Sequence, residues 1–358
     1  MADHQHPESH PDQHRHPDQH RHADEHRHAD EHRHADSHAH GHHAGGGGGA
    51  GGSGSGDGGD GGDDEAALAD MLDLDAEVLA AYLSDLTAWI AELAEPAEPA
   101  EPAEPEGIAA SPAPPGASAS PATRHIVDVG SGTGAGTFAL LRRFDGAEVT
   151  ALDRSPYMLG RLRDRARELG VADRVRTIEA DLDERWPDAG PADLVWASAS
   201  LHHMADPDRA LAEAAALLRP GGLLAAVELD SFPLFLPDDI GLGRPGLEAR
   251  CRTAMDERRA HDVPHMGDDW GARLTAAGFT LRAERHVAID LAPPLPAATG
   301  RYAHAVLGRT RDHLGSALDA DDLAVLATLL DGDGPDALLR RGDLTVRTTR
   351  TVWLAERH

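Results

Sequence analysis

His125-Ile-Val-Asp-Val-Gly-Ser-Gly-Thr-Gly-Ala-Gly-Thr-Phe-Ala-Leu-Leu141 is the stretch that decides the fold of this 358-residue chain. A short apolar run carrying Asp128 leads into alternate glycines, Gly130, Gly132 and Gly134, and then into a segment of helical character. The pattern predicts a strand, a tight glycine-rich turn and a helix N-terminus, where backbone N–H groups approach a ligand because no Cβ stands in the way. A nucleotide-like cofactor is the expected occupant.

Working outward, the segments that follow alternate. Strands are predicted over 126–129, 148–152, 175–179, 194–197 and 223–229, with helices over 135–144, 156–169 and 207–219 between them. Ser155-Pro156 and Asp206-Pro207 each read as an N-cap followed by a first-turn proline, while Gly170 and Pro220-Gly221-Gly222 read as stops. Strands and helices in this rhythm imply a Rossmann-like, doubly wound α/β sheet with right-handed crossovers. Beyond it come an irregular, Pro-rich stretch over 232–266, a helix over 270–278, a strand over 280–291, helices over 297–314 and 321–330, and a β-branched run over 344–354. That last run is expected to be a closing edge strand.

Upstream, composition changes. Residues 1–43 hold 15 of the 24 histidines in hexapeptide repeats such as Ala23-Asp-Glu-His-Arg-His, residues 44–64 form a Gly-rich linker, and 94–121 form a Pro/Ala/Glu linker with Ala-Glu-Pro repeats. None of these carries enough large apolar side chains to offset chain entropy, so the His-rich tail is expected to be disordered. Residues 65–93 differ: Leu79, Tyr82, Leu83, Leu86 and Ile90 recur at steps of three and four, which predicts an amphipathic helical segment. It serves either as a lid over the cofactor cleft or as a partner helix. The main domain is then 122–358.

The net charge of −29 would repel a phosphate backbone, so no nucleic-acid partner is expected. One cysteine, Cys251, allows neither an internal disulfide nor a thiolate cluster. With no apolar leader and no membrane-length apolar run, no membrane partner is expected and a cytoplasmic location is. In the tail, Asp-x-His-x-His units bearing His14, His16, His20, His22, His26, His28, His32 and His34 have the composition that chelates Ni²⁺, Zn²⁺ or Cu²⁺ without folding.

Ligands of doubly wound sheets sit at the carboxyl ends of the strands. There the chain places Asp128, Asp153 and Asp181. A carboxylate ending the second strand suits two ribose hydroxyls, which leaves a nicotinamide and other adenosine cofactors both open. The glycine spacing departs from G-x-G-x-x-G, and Asp128 beside a diphosphate would be repulsive, whereas beside an ammonium group it is favourable. Asp181 suits an exocyclic amine as acceptor.

Val127-Asp-Val-Gly-Ser-Gly-Thr-Gly134, Ala151-Leu-Asp-Arg-Ser-Pro-Tyr-Met158, Ala180-Asp-Leu182 and Ala192-Asp-Leu-Val-Trp-Ala-Ser-Ala-Ser-Leu-His-His-Met-Ala-Asp-Pro207, followed by Leu217-Leu-Arg-Pro-Gly-Gly222, together resemble the class I S-adenosylmethionine-dependent methyltransferases. Within them the chain is similar to the small-molecule subgroup of ubiquinone/menaquinone-biosynthesis methyltransferases. The resemblance covers 122–230 and implies a seven-stranded sheet ending in an antiparallel hairpin, with 344–354 as its last strand. It also implies that Asp128, Gly130, Ser131, Gly132 and Gly134 cradle the methionine portion and that Asp153, with Arg154 beside it, takes the ribose. Met158 packs near the adenine, Asp181 and Leu182 bracket the base, and Ala197 and His202 lie beside the sulfonium.

Methyl transfer from a sulfonium is an in-line displacement that chiefly needs alignment and exclusion of water. His202, His203 and His265 are the candidates for an acid–base role, against simpler roles in shaping a pocket or loop. No Asn/Asp-Pro-Pro-Tyr/Phe follows the fourth strand, and Cys251 stands outside a Pro-Cys context, which leaves a small organic acceptor methylated on O, N or C. Arg244, Arg250, Arg252, Arg258 and Arg259 fit either an anionic acceptor or a solvated helix face. Metal handling by the tail, with the enzymatic domain secondary, and an NAD(P)-dependent oxidoreductase are the alternative functions.

Overall fold

A computed structural model describes residues 60–94 and 123–358. The His-rich tail, most of both linkers and all eight histidines singled out as metal ligands lie outside the described residues. Two helices come first, α1 (Asp60–Val78) and α2 (Ala80–Ala94). Then follow β1 (His125–Val129), α3 (Ala135–Arg143), β2 (Glu148–Asp153), α4 (Pro156–Glu168), β3 (Val175–Glu179), β4 (Ala192–Ser198), α5 (Pro207–Leu217) and β5 (Leu218–Leu229). The remainder comprises α6 (Leu247–Asp262), α7 (Trp270–Ala276), β6 (Phe279–Leu291), α8 (Thr299–Leu314), α9 (Ala320–Asp331) and β7 (Val346–Arg357).

The strands form one seven-stranded sheet in the order β3-β2-β1-β4-β5-β7-β6. β1 to β5 pair in parallel, and β7 runs antiparallel to both of its neighbours. The strand order reverses between β1 and β4, which opens the ligand crevice above their carboxyl ends. The predicted caps form: Ser155 Oγ accepts from Met158 N at 3.0 Å and Asp206 Oδ1 from Arg209 N at 3.0 Å, each with a first-turn proline.

Alternation along the strands divides the core between the two faces. Val127, Val129, Val195 and Ala197 face α5 and α7, while Ile126, Leu194 and Trp196 face α2 and α3. A third cluster gathers α1, α6, α8 and α9 around Phe235 and Tyr302, whose rings meet edge to face at 5.2 Å. This cluster includes Ile289 near the end of β6 and Val346 at the start of β7. Because β7 is antiparallel, both residues lie at the same end of the sheet as the carboxyl end of β5.

Three expectations are corrected. Helix α1 starts at Asp60, inside the segment read as linker; Asp63 and Asp64 place negative charge near its N-terminus, where the helix dipole favours it. The stretch 232–266 is not irregular throughout, since α6 fills 247–262. Its sequence is so charged that, among the described residues, Leu247, Cys251 and Ala254 are the apolar side chains that mark its buried face, beside a buried Glu248. Finally, β7 is antiparallel as expected but is not an edge strand. Its central residues are buried on both faces, and the edge falls to β6, whose residues are mostly exposed.

Among the described residues no helix is long and apolar enough to cross a membrane.

Candidate active site

The glycine turn is built for close approach. Gly130, Gly132 and Gly134 have φ of 66°, 52° and 95°. A Cβ at Gly130 would meet Ser200 Cβ at 2.6 Å, and one at Gly134 would meet Leu162 Cγ at 2.8 Å, so at both positions packing and dihedral each require glycine. Gly132 is the least crowded member of the set: a Cβ there would meet Leu72 Cδ1 of α1, the end of a flexible side chain, at a tight 3.2 Å. The loop is pinned beneath by Ser131 N–H donating to Leu152 O at 2.9 Å and by Ser200 Oγ donating to Val129 O at 2.8 Å.

Asp153 stands at the end of β2 facing this turn. Its Oδ2 accepts from Gly132 N at 2.8 Å and its Oδ1 from Ser155 N at 2.9 Å. A carboxylate has about four lone-pair sites, so roughly two remain for a pair of ligand hydroxyls. Ser131 Oγ is buried without a hydrogen-bond partner, an orphan polar atom in the cradle. The orphan hydroxyl, the less crowded Gly132 and the half-used Asp153 carboxylate fit the loop and ribose contacts of S-adenosylmethionine.

Asp128 is placed differently from its expected role. Its side chain faces α3, where Oδ2 accepts from Thr137 Oγ1 at 2.6 Å, and the residue is only 2% exposed. Burial pushes its carboxyl up to about 7, against the lowering effect of the Thr137 hydrogen bonds. It therefore acts chiefly from beneath the loop, tying β1 to α3, not as a free anion at the ligand's surface.

Farther along the strand ends, Asp181 is exposed and uses Oδ1 to accept from Asp183 N at 2.9 Å, while Leu182 is buried in the core cluster with Val127. Met158 is buried on the first turn of α4, Ala197 is buried near the end of β4, and Arg154 is exposed. Ala199 adopts φ 51°, a non-glycine in the left-handed region, at the turn that leads from β4 into His202. Such strain persists where surrounding contacts over-determine it, here Ala199 N–H to Val227 O at 2.8 Å.

His202 is 4% exposed and its Nδ1 pairs with Glu228 Oε2. Glu228, on β5 and 2% exposed, accepts with its other oxygen from Leu201 N at 3.0 Å. The carboxylate favours hydrogen on Nδ1, which leaves Nε2 with the lone pair. The His203 ring lies 4.2 Å from the His202 ring. Although the His203 side chain is exposed, the protein packed around its ring, with His202 and Arg154, pushes its imidazole down to about 4.

Residues 126–222 match the family described as a methyltransferase domain. Over this segment the chain is similar to that family. Curated relatives include a trans-aconitate 2-methyltransferase from Acidovorax sp. (strain JS42), 31% identical over 44% of this chain and 55% of that protein. A malonyl-[acyl-carrier protein] O-methyltransferase from Laribacter hongkongensis is 38% identical over 44% of this chain and 51% of the other. A 27-O-demethylrifamycin SV methyltransferase from Amycolatopsis mediterranei is 36% identical over 45% and 61%. The chain thus spans between 51% and 61% of the length of these relatives.

The three candidate histidines separate. His202 and His203 stand together after β4, whereas His265 is held by Asp268, at 3.1 Å, in a cluster completed by Arg273 and Asp208. The sequence reading missed Glu228, though it is the one charged residue in Leu223-Leu-Ala-Ala-Val-Glu-Leu229, and a carboxylate inside a buried strand signals a partner. It named no individual residue of α1 at the glycine turn. Glu65 accepts from Ser155 Oγ, Leu72 lies over Gly132, and Arg161 of α4 pairs with Asp70 at 2.8 Å and Asp73 at 2.5 Å.

Proposed function

We propose that the chain transfers a methyl group from S-adenosylmethionine to a small organic acceptor. The observation that carries this reading is the pairing of the Gly132 turn with the half-used Asp153 carboxylate at the next strand end, inside a segment that matches the methyltransferase family. The bound cofactor supplies a methyl group on a sulfonium, a good leaving group. The protein's part is to hold the acceptor in line and keep water out.

In this reading the Gly130–Gly134 turn and Ser131 hold the methionine portion, and Asp153 takes the ribose hydroxyls. Met158, Asp181 and Leu182 serve the adenine side, and Ala197 borders the reacting centre. Helix α1 is the lid, because Leu72 and Glu65 reach over the turn and the start of α4. His202, with hydrogen on Nδ1 held by Glu228 at the carboxyl end of β4 and β5, is favoured as proton acceptor over His203, whose imidazole is pushed down to about 4, and over His265, which sits in a separate cluster with Asp268 and Arg273. The names of the relatives cite trans-aconitate, a malonyl-acyl-carrier protein and a demethylrifamycin, so similar domains serve dissimilar acceptors.

Calorimetric titration with S-adenosylhomocysteine tests the reading: saturable heat is expected with the wild type and a large loss of affinity with Asp153→Ala. No heat with the wild type, or saturable binding of NAD(P) in its place, refutes it. For residues 1–43 alone, the Asp-x-His-x-His repeat supports a second reading as a Ni²⁺, Zn²⁺ or Cu²⁺ chelator. Several equivalents of Ni²⁺ bound by the full chain, and few by a chain lacking 1–43, are expected; equal binding by both refutes it.

A further inference from the structure

Above the carboxyl end of β5 lies a cavity of ≈ 260 Å³ between the loop 230–234, α6 and α8. Helix α6 presents Glu248, Cys251, Arg252, Met255 and Arg259 to it, at steps of 3, 4, 7 and 11 along one helical face. Phe232, Val306 and Leu307 supply apolar wall. Asp230 also lines it, two residues beyond Glu228, so the cavity begins about 7 Å along the chain from the carboxylate that holds His202. Its volume is slightly below the range of about 300–1,000 Å³ usual for ligand pockets, which favours a compact occupant.

The charges around the cavity are unevenly satisfied. Glu248 is fully used: its oxygens accept from Phe235 N at 2.9 and 3.1 Å and from Leu236 N at 2.9 Å. Asp230 accepts from Thr351 Oγ1 at 2.9 and 3.0 Å. Arg259 has Asp256 at 3.6 Å. Arg252 donates to the Phe232 carbonyl at 3.5 Å, the outer limit of a hydrogen bond, and its charge acts on the nearby Glu248 carboxylate without an ion pair to it among the described residues. The other arginines of this region are engaged elsewhere: Arg244 and Arg250 pair with Asp322, and Arg258 donates to His313 O at 2.7 Å. Among the described residues, the cavity therefore presents a half-buried Arg252 guanidinium that makes no direct carboxylate pair, its neighbour Glu248 being spent on backbone N–H groups, beside apolar wall.

We infer that this cavity receives the acceptor, and that the acceptor is a compact carboxylate with an apolar body, its anion on Arg252. The inference rests on the methyltransferase reading and deepens it. A guanidinium takes carboxylate and phosphate alike. The surrounding Asp230, Glu248 and Asp256 disfavour a dianion more than a monoanion, which selects the carboxylate.

The test uses the full chain loaded with S-adenosylhomocysteine and titrates hexanoate and trans-cinnamate, their primary amides, and phenyl phosphate. The two acids are expected to bind about tenfold or more tightly than their amides, the scale of one charge-assisted hydrogen bond, with phenyl phosphate weaker than the acids. Arg252→Gln is expected to erase the acid–amide difference, and Met255→Trp to abolish acid binding by filling the cavity. Both variants should bind S-adenosylhomocysteine as the wild type does, which shows that they are folded. Acids that do not bind, that bind no better than their amides, that bind less tightly than the phosphate, or that are indifferent to Arg252→Gln overturn the inference. Failure of S-adenosylhomocysteine to bind the wild type instead overturns the methyltransferase reading beneath it.

Discussion

Asp128 gives the chain a pH-dependent weakness that a single substitution removes. The carboxyl moves from its ordinary 3.8 to about 7 on folding, because burial beneath the glycine turn disfavours the anion more than Thr137 stabilises it. The folded value lies above the unfolded one, so the folded chain holds this proton more tightly. The stability linked to it is fully present below the unfolded value, is lost as pH rises through the window between the two, and is gone above about 7. At 1.36 kcal/mol per unit, the full loss is about 4 kcal/mol, of which about 2.5 falls between pH 5 and pH 8. Asp128→Asn keeps an oxygen for Thr137 Oγ1 but cannot ionise. Urea unfolding of both chains at pH 5, 6, 7 and 8 isolates the effect, since every other titrating group is common to the pair. The stability of the variant relative to wild type is expected to rise by about 2.5 kcal/mol over that range, whatever fixed cost the buried amide adds. A difference that stays constant from pH 5 to 8 would refute the placement of a protonatable carboxyl under the turn.

Gly134→Ala, with φ 95° and a Cβ forced to 2.8 Å from Leu162 Cγ, is expected to lose about 2–4 kcal/mol in urea unfolding, from left-handed backbone plus overpacking. Gly132→Ala, whose Cβ meets only Leu72 at 3.2 Å, should lose about 1–2 kcal/mol, and equal losses would refute the contrast. Asp75→Asn removes the charge that Arg350 meets at 2.9 Å and Tyr302 OH at 2.6 Å; with Arg350 8% exposed, a loss of about 2–4 kcal/mol is expected, and a change within about 0.5 kcal/mol would show α1 to be loosely docked. Glu228→Gln should abolish the low-field proton resonance expected from His202 Nδ1–H on a carboxylate, and persistence of that resonance would place the proton elsewhere.

What the sequence made legible was local. The glycine turn, the Ser155-Pro156 and Asp206-Pro207 helix starts and Asp153 at the end of the second strand are each defined by neighbours a few residues away, and each stands where the pattern put it. What escaped depends on partners far along the chain. Asp128 looks like a ligand-facing carboxylate until Thr137 is seen to turn it into the core, and Glu228 is merely an odd charge in a strand until His202, 26 residues earlier, arrives beside it. The five arginines of the variable region could not be sorted by composition, because Asp322, which engages two of them, lies more than 70 residues away on α9. The placement of β7 follows the same logic: its β-branched run fixes a strand, but only the two-sided burial of that strand excludes the edge. This interior, antiparallel β7 has a consequence for specificity. It carries the chain back so that α6, α8 and the start of β7 meet above β5, beyond residues 126–222, which match the methyltransferase family. The proposed cofactor side is thus written in contiguous motifs, whereas the proposed acceptor side is assembled from segments with no motif of their own. Only the folded structure distinguishes Arg252 from the arginines around it.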